Sequence, residues 1–148
     1  LTVLQQRPFS IANISFISRF VKNDKAAFCC RKGNCMTARE AIKQADALRP
    51  NCIEAEVKAN ILRELENEYA ELMGVDLPEN LWPEDQTLLM PAPHDNSYVW
   101  HLCAGIDLMN AETDLYANDK VVANSKVSEA KAWWRRHNRP PYRGNWKV

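Results

Sequence analysis

The stretch DNSYVWHLCAGIDLMNAETDLYANDKVVANSKVSEAKAWWRR, Asp95 to Arg136, decides how the chain folds. Tyr98, Leu102, Ile106, Met109, Tyr116, Ala123, Val127, Ala130 and Trp134 recur every three or four positions, interrupted at Thr113 and Lys120. That is the 3.6-residue period of a helix with one buried face, so the stretch reads as one long helix or two joined ones. It contains no Pro, and Gly105 is its single Gly. Asp95 is placed to cap the first amides. Arg135, Arg136 and His137 put cations at the C-terminal end, where the helix dipole favours them. Pro140 and Pro141 forbid continuation. A break near Leu115 to Asp119 is open, because Asn118 and Asp119 could cap a new helix.

Working toward the N-terminus, residues 74–94 read as a loop punctuated by Pro78, Pro83, Pro91 and Pro93. Leu88, Leu89 and Met90 form a short extended piece within it, and Trp82 reads as a core plug. Thr37-Ala38-Arg39-Glu40 is a capping box, with Thr at the N-cap and Glu at the third helical position. Ala41, Ile42, Ala45 and Leu48 continue that first helix, which Pro50 ends. Asn51-Cys52-Ile53-Glu54 repeats the capping logic for a second helix. Val57, Ile61, Leu65, Tyr69 (or Leu62) and Leu72 are its apolar stripe. Glu54 and Lys58 form a favourable i,i+4 pair, and Gly74 is the stop. The fold class is therefore all-α. Two shorter helices pack with a long C-terminal helix or helical hairpin, followed by an extended basic tail.

Residues 1–35 do not share this patterning. Arg31-Lys32-Gly33 is encodable by a purine run two codons ahead of Met36, where a bacterial ribosome-binding site would stand. We therefore expect Met36 to be the natural start and exclude residues 1–35 from the fold. The expected organisation is an extension over 1–35, a helical body over 36–139 and an extended basic tail over 140–148.

The 148 residues fit one domain, and 46% hydrophobic with 26% charged residues is ordinary for a globular chain. No apolar run approaches the roughly 20 residues of a membrane span. The zero net charge hides a strong asymmetry. Residues 36–130 hold seven Lys/Arg against eighteen Asp/Glu, whereas residues 131–148 hold six Lys/Arg and no acid. An acidic body with a basic tail is the better description. Cys29, Cys30, Cys35, Cys52 and Cys103 show no CxxC spacing, so reduced thiols of a cytoplasmic protein are expected and zinc is not. His94, His101 and His137 have no ligand at metal spacing and read as surface or helix-end residues. Glu64, Glu66, Glu68 and Glu71 read as a solvated helix face. No phosphate-binding loop, dinucleotide fingerprint, nucleophile elbow or zinc-protease motif is present.

One constellation carries chemistry: Trp133, Trp134, Arg135, Arg136, Arg139, Tyr142, Arg143 and Trp146. With Lys131 and Lys147, these could neutralise phosphates and stack on bases. They could equally anchor the arm on an acidic neighbouring protein, since Trp and Arg dominate interface energetics. The acidic body favours protein docking, because it would repel a nucleic-acid backbone.

From Met36 to Pro141 the chain resembles the small helical head–tail connector (adaptor or neck) proteins of tailed bacteriophages and prophages. The likeness runs through Met36-Thr37, Asp46-x-Leu48-x-Pro50-Asn51 and Leu62-x-Glu64-Leu65-Glu66. It continues through Pro91-Ala92-Pro93-His94-Asp95 with Tyr98, then Ile106-Asp107, Asn110 and Glu112. Tyr116-x-Asn118-Asp119, Asn124, Trp134, Arg136 and Arg139-Pro140 complete it. His94 stands where Tyr is usual, and Ala123 where Phe is usual. The resemblance implies a virion subunit, assembled in the bacterial cytoplasm, that forms a ring at the head–tail junction. Its partners would be itself, the portal protein and a tail or stopper protein, with DNA passing through without sequence-specific binding. No enzymatic activity, cofactor or membrane is implied. The alternative is a small helical nucleic-acid-binding protein using the basic aromatic tail.

Overall fold

The capping box is where the chain's local chemistry first becomes three-dimensional. In the computed structural model, which describes residues 35–77 and 85–138, Thr37 Oγ1 accepts the Glu40 N–H at 3.3 Å. Glu40 returns the bond, accepting the Thr37 N–H at 2.8 Å. This reciprocal pair starts helix α1, Ala38–Leu48, directly from strand β1, Cys35–Thr37. Helix α2 spans Ala55–Met73, strand β2 Thr87–Pro91, helix α3 Asn96–Met109 and helix α4 Thr113–His137. The expected all-α bundle is present, with one addition. β1 and β2 pair antiparallel, Cys35 opposite Pro91 and Thr37 opposite Thr87, with an irregularity between. Thus the anticipated extended piece at Leu88–Met90 is a strand, and its three central residues are buried.

α3 is the central helix. Tyr98, Val99, Leu102, Cys103, Ala104 and Ile106 are all buried, and α3 packs on α1, α2 and α4. A helix buried on several faces needs apolar residues all round, and the Tyr98–Ile106 run supplies them. Gly105 is needed on the α2 side. A Cβ there would lie 2.9 Å from Ile61 Cδ1 and 3.1 Å from Ile61 Cγ2, so the small residue sets how closely α2 approaches. Leu62, Leu65, Tyr69 and Met73 of α2 complete the core with Leu88 and Met90 of β2. Each large apolar side chain so buried contributes about 1.5–3 kcal/mol.

The long C-terminal stretch is a hairpin, and its break lies at Asn110–Glu112 rather than near Leu115–Asp119. Ala111 adopts φ 58°. The Ala111 N–H donates to Leu108 O, and the Glu112 N–H donates to Asp107 O at 2.9 Å. These two bonds define a Schellman stop. The same pattern closes α2. There Gly74 has φ 65°, its N–H donates to Glu71 O, and Val75 N–H donates to Ala70 O. Gly marks one stop and Ala hides the other.

Several local expectations need correction. Asp95 occupies the N-cap of α3 but makes no side-chain cap bond. Asn51 does not cap α2. It accepts the Ile53 N–H and donates to Asp46 Oδ1 and Arg49 O, so it shapes the α1–α2 link, and Glu54 takes the cap position without a side-chain bond. Lys58 pairs with Asp46 of α1 at 2.7 Å and not with Glu54, because its ammonium is buried against α1. Met109, placed on the buried stripe, is 52% exposed because the hairpin turn lifts it off the bundle. The expectations for residues 1–34, for Trp82 and for the tail from residue 139 onward lie outside the described residues.

Candidate functional site

The basic aromatic constellation begins on the last turns of α4, and the fold divides it. Trp134 continues the apolar stripe and is 5% exposed, in the core with Ala130. Its side chain therefore serves the interior of the subunit and is not offered to a partner. Trp133, one residue earlier, is half-buried at the surface. His94 stacks on it from the loop before α3 with ring centroids 5.0 Å apart, and His137 lies on it at 4.7 Å. His137 Nδ1 is 2.9 Å from Trp133 O, and Asn138 Nδ2 donates to Trp134 O at 3.0 Å. Trp134 O also accepts the Asn138 backbone N–H at 3.0 Å, so the side-chain bond is a second one to that carbonyl.

Arg135 and Arg136 are exposed on the same turn. No ion pair engages either among the described residues. Lys131, one turn earlier, is tied to Glu68 of α2. Arg139, Tyr142, Arg143 and Trp146 lie outside the described residues. The described part of the predicted site is thus one half-buried indole flanked by two imidazoles and two unpaired guanidinium groups.

The opposite end of the α3–α4 hairpin was not anticipated. Leu108, Met109 and Leu115 are 56%, 52% and 42% exposed, and Leu48 at the end of α1 is 48% exposed. These are four of the five large hydrophobics exposed among the described residues. Arg49 fastens α1 to this tip. Its Nη2 donates to Asp119 Oδ2 at 2.7 Å, and its Nε lies 3.2 Å from Asp107 Oδ1. Asp107 is fully buried and Asp119 nearly so. Burial, and the hydrogen bond that a protonated Asp107 gives the Asp119 carboxylate, push the Asp107 carboxyl above its ordinary value while Arg49 opposes the shift. Glu112 and Asp114 are exposed on the turn itself. A signal existed in the sequence: no Lys or Arg occurs from Asn96 to Asp119, whereas four acids fall between Asp107 and Asp119.

Glu66 is a second correction. Glu64, Glu68 and Glu71 are exposed as expected of a solvated face, but Glu66 is fully buried. Its Oε1 accepts the Leu89 N–H at 2.8 Å, and its Oε2 accepts the Tyr98 hydroxyl. Tyr98 in turn accepts the Met90 N–H at 3.2 Å. Burial pushes the Glu66 carboxyl up to about 7 against the lowering effect of these bonds. This carboxyl bolts β2 to α2 and α3. It is enclosed by core side chains, so it has structural work and no route to a substrate.

Among the described residues, no group of three or more His, Cys, Asp or Glu could hold a metal ion. No described helix is long and apolar enough to cross a membrane. Comparison with protein-family models, with curated proteins and with solved structures found no match.

Proposed function

We propose that this chain is a structural subunit of the head–tail connector of a tailed phage or prophage, acting by assembly with copies of itself into a ring between portal and tail. The observation that carries the reading is the outer face of α4. This helix runs 25 residues with Asp119, Ala123, Ala130 and Trp134 turned into the bundle. On its other side Ala117, Asn118, Val121, Asn124, Ser125 and Ser128 are all exposed, and none is charged. Val121 is 69% exposed. A long face of small uncharged residues on an otherwise highly charged body lets a second helix approach closely without desolvating ions. The order and spacing of the connector-like motifs add to this.

Electron microscopy and mass photometry of the purified chain, with and without a portal protein from the same genome, test the proposal. Rings, alone or seated on the portal, are the expected result. Val121→Glu should weaken them without unfolding the subunit, because that side chain already faces solvent. A monomer at every concentration, with portal present and absent, would end the reading.

The nucleic-acid alternative keeps one favourable observation, the exposed Arg135 and Arg136 beside Trp133, which no ion pair engages among the described residues. Against it stand the engagement of Lys131 by Glu68 and the burial of Trp134. Duplex DNA binding that weakens steeply with salt and disappears in an Arg135→Ala/Arg136→Ala variant would replace the connector proposal. A truncation must leave Trp134 in place, since that side chain belongs to the core.

A further inference from the structure

The two ends of the α3–α4 hairpin are chemically opposite. At the tip, Leu48, Leu108, Met109 and Leu115 are exposed beside Glu112 and Asp114. Arg49, the cation tied to the tip, is committed to Asp107 and Asp119. The tip therefore presents apolar surface with an acidic rim. At the other end, the chain leaves α4 through Arg135 and Arg136 into Arg139, Tyr142, Arg143, Trp146 and Lys147, with no acid after Glu129. Aromatic residues alternating with cations are the complement of an apolar surface ringed by carboxylates.

Covalent reach decides between the chain's own tip and a neighbour's. The 25 residues of α4 put the two ends about 37 Å apart. Tyr142 is four residues beyond Asn138, so it can travel at most about 14 Å from the helix end. Trp146 is eight residues beyond, a backbone span of at most about 29 Å. The two aromatic anchors cannot both return to their own tip.

We infer that residues 139–147 of one copy dock on the hairpin tip of the next, placing Tyr142 and Trp146 on the Leu108–Leu115 surface and Arg143 against Glu112 and Asp114. This inference rests on the self-association proposed above and adds a second contact to the α4 face. The joint is heterologous: each copy offers a tip to one neighbour and a tail to the other. Such contacts close into a ring when the rotation between copies permits.

A complementation experiment with the full chain tests it. One variant carries Leu108→Glu and Leu115→Glu at the tip, both at exposed positions; the other carries Tyr142→Ala and Trp146→Ala. Circular dichroism and thermal melting verify that each is folded. Each variant alone should lose assembly, with self-affinity lowered by at least about tenfold. Mixed, they should form a one-to-one dimer by sedimentation, because one tip and one tail remain intact. If the wild type assembles and both variants assemble equally well, the tip–tail contact is wrong and the ring reading survives. If the variants are monomeric and the mixture stays monomeric, the contact is also overturned, since an intact tip and an intact tail then fail to join. A wild type that never associates, with portal present or absent, overturns both. An exposed apolar position away from the tip, Val121, provides the separating control: Val121→Glu must not prevent the mixed dimer from forming through tip and tail.

Discussion

Ala111 shows how a single residue can conceal a break in a helix. It holds the left-handed conformation at the end of α3, where Gly does the same work for α2 at Gly74. A Cβ in that region costs about 1–2 kcal/mol. Ala111→Gly should therefore raise stability by about 1 kcal/mol, read as a higher urea midpoint at unchanged slope. Glu66 carries the second prediction at this scale. Its folded-state pKa, about 7, lies above the ordinary 4.5. Between those values the folded protein binds more protons than the unfolded chain, so stability falls as pH rises. The loss begins near pH 4.5, is complete near pH 7 and amounts to about 3 kcal/mol at most. Glu66→Gln keeps an acceptor for the Leu89 N–H and cannot titrate. The difference in unfolding free energy between wild type and variant should follow that slope, and parallel curves from pH 4.5 to 7 would contradict it.

Elements are joined by polar contacts that connect residues far apart in the chain. Arg49 links the end of α1 to Asp107 on α3 and Asp119 on α4. Arg49→Leu would leave two buried carboxylates facing each other without a cation. A loss of about 3 kcal/mol in chemical denaturation is expected. Arg49→Lys should recover little of it, because a point charge cannot bridge two acids as the planar guanidinium does. The α2–α3 seam is set by Gly105 under Ile61. Gly105→Leu should cost about 2 kcal/mol by overpacking. Ile61→Ala in the same chain should cost less than its effect alone, a coupling that a double-mutant cycle reads directly.

Charge is distributed over the whole molecule so that one end of the α3–α4 hairpin is acidic and the other basic. Self-association through such ends is screened by salt, with a Debye length of about 10 Å at 0.1 M and about 3 Å at 1 M. Sedimentation at rising ionic strength should show the assembly dissociating. An assembly held by the uncharged α4 face alone would be insensitive or strengthened. The proposed ring combines both surfaces, so moderate salt should weaken it and Val121→Glu in high salt should abolish it.

Read residue by residue, the chain by itself determined where helices start and stop whenever a dedicated residue type marks the event. The Thr37–Glu40 box, the Gly74 stop and the cationic end at Arg135–His137 all stand where local chemistry puts them. The apolar spacing likewise determined that Tyr98, Leu102, Ile106, Ala123, Ala130 and Trp134 face inward. Half of the tail constellation lies within the described residues, and there the spacing that puts Trp134 on the inward stripe already stood against counting its indole, with that of Trp133, as a docking residue. Tertiary structure alone decided that Glu66, Asp107 and Asp119 are buried and that Leu108 and Met109 are not. Burial of a carboxylate depends on partners such as Tyr98 and Arg49 that lie tens of residues away, and no local period encodes that pairing. The turn at Ala111 belongs with them: the left-handed stop is held by the packing of α3 on α4, where the residue's own preference opposes it.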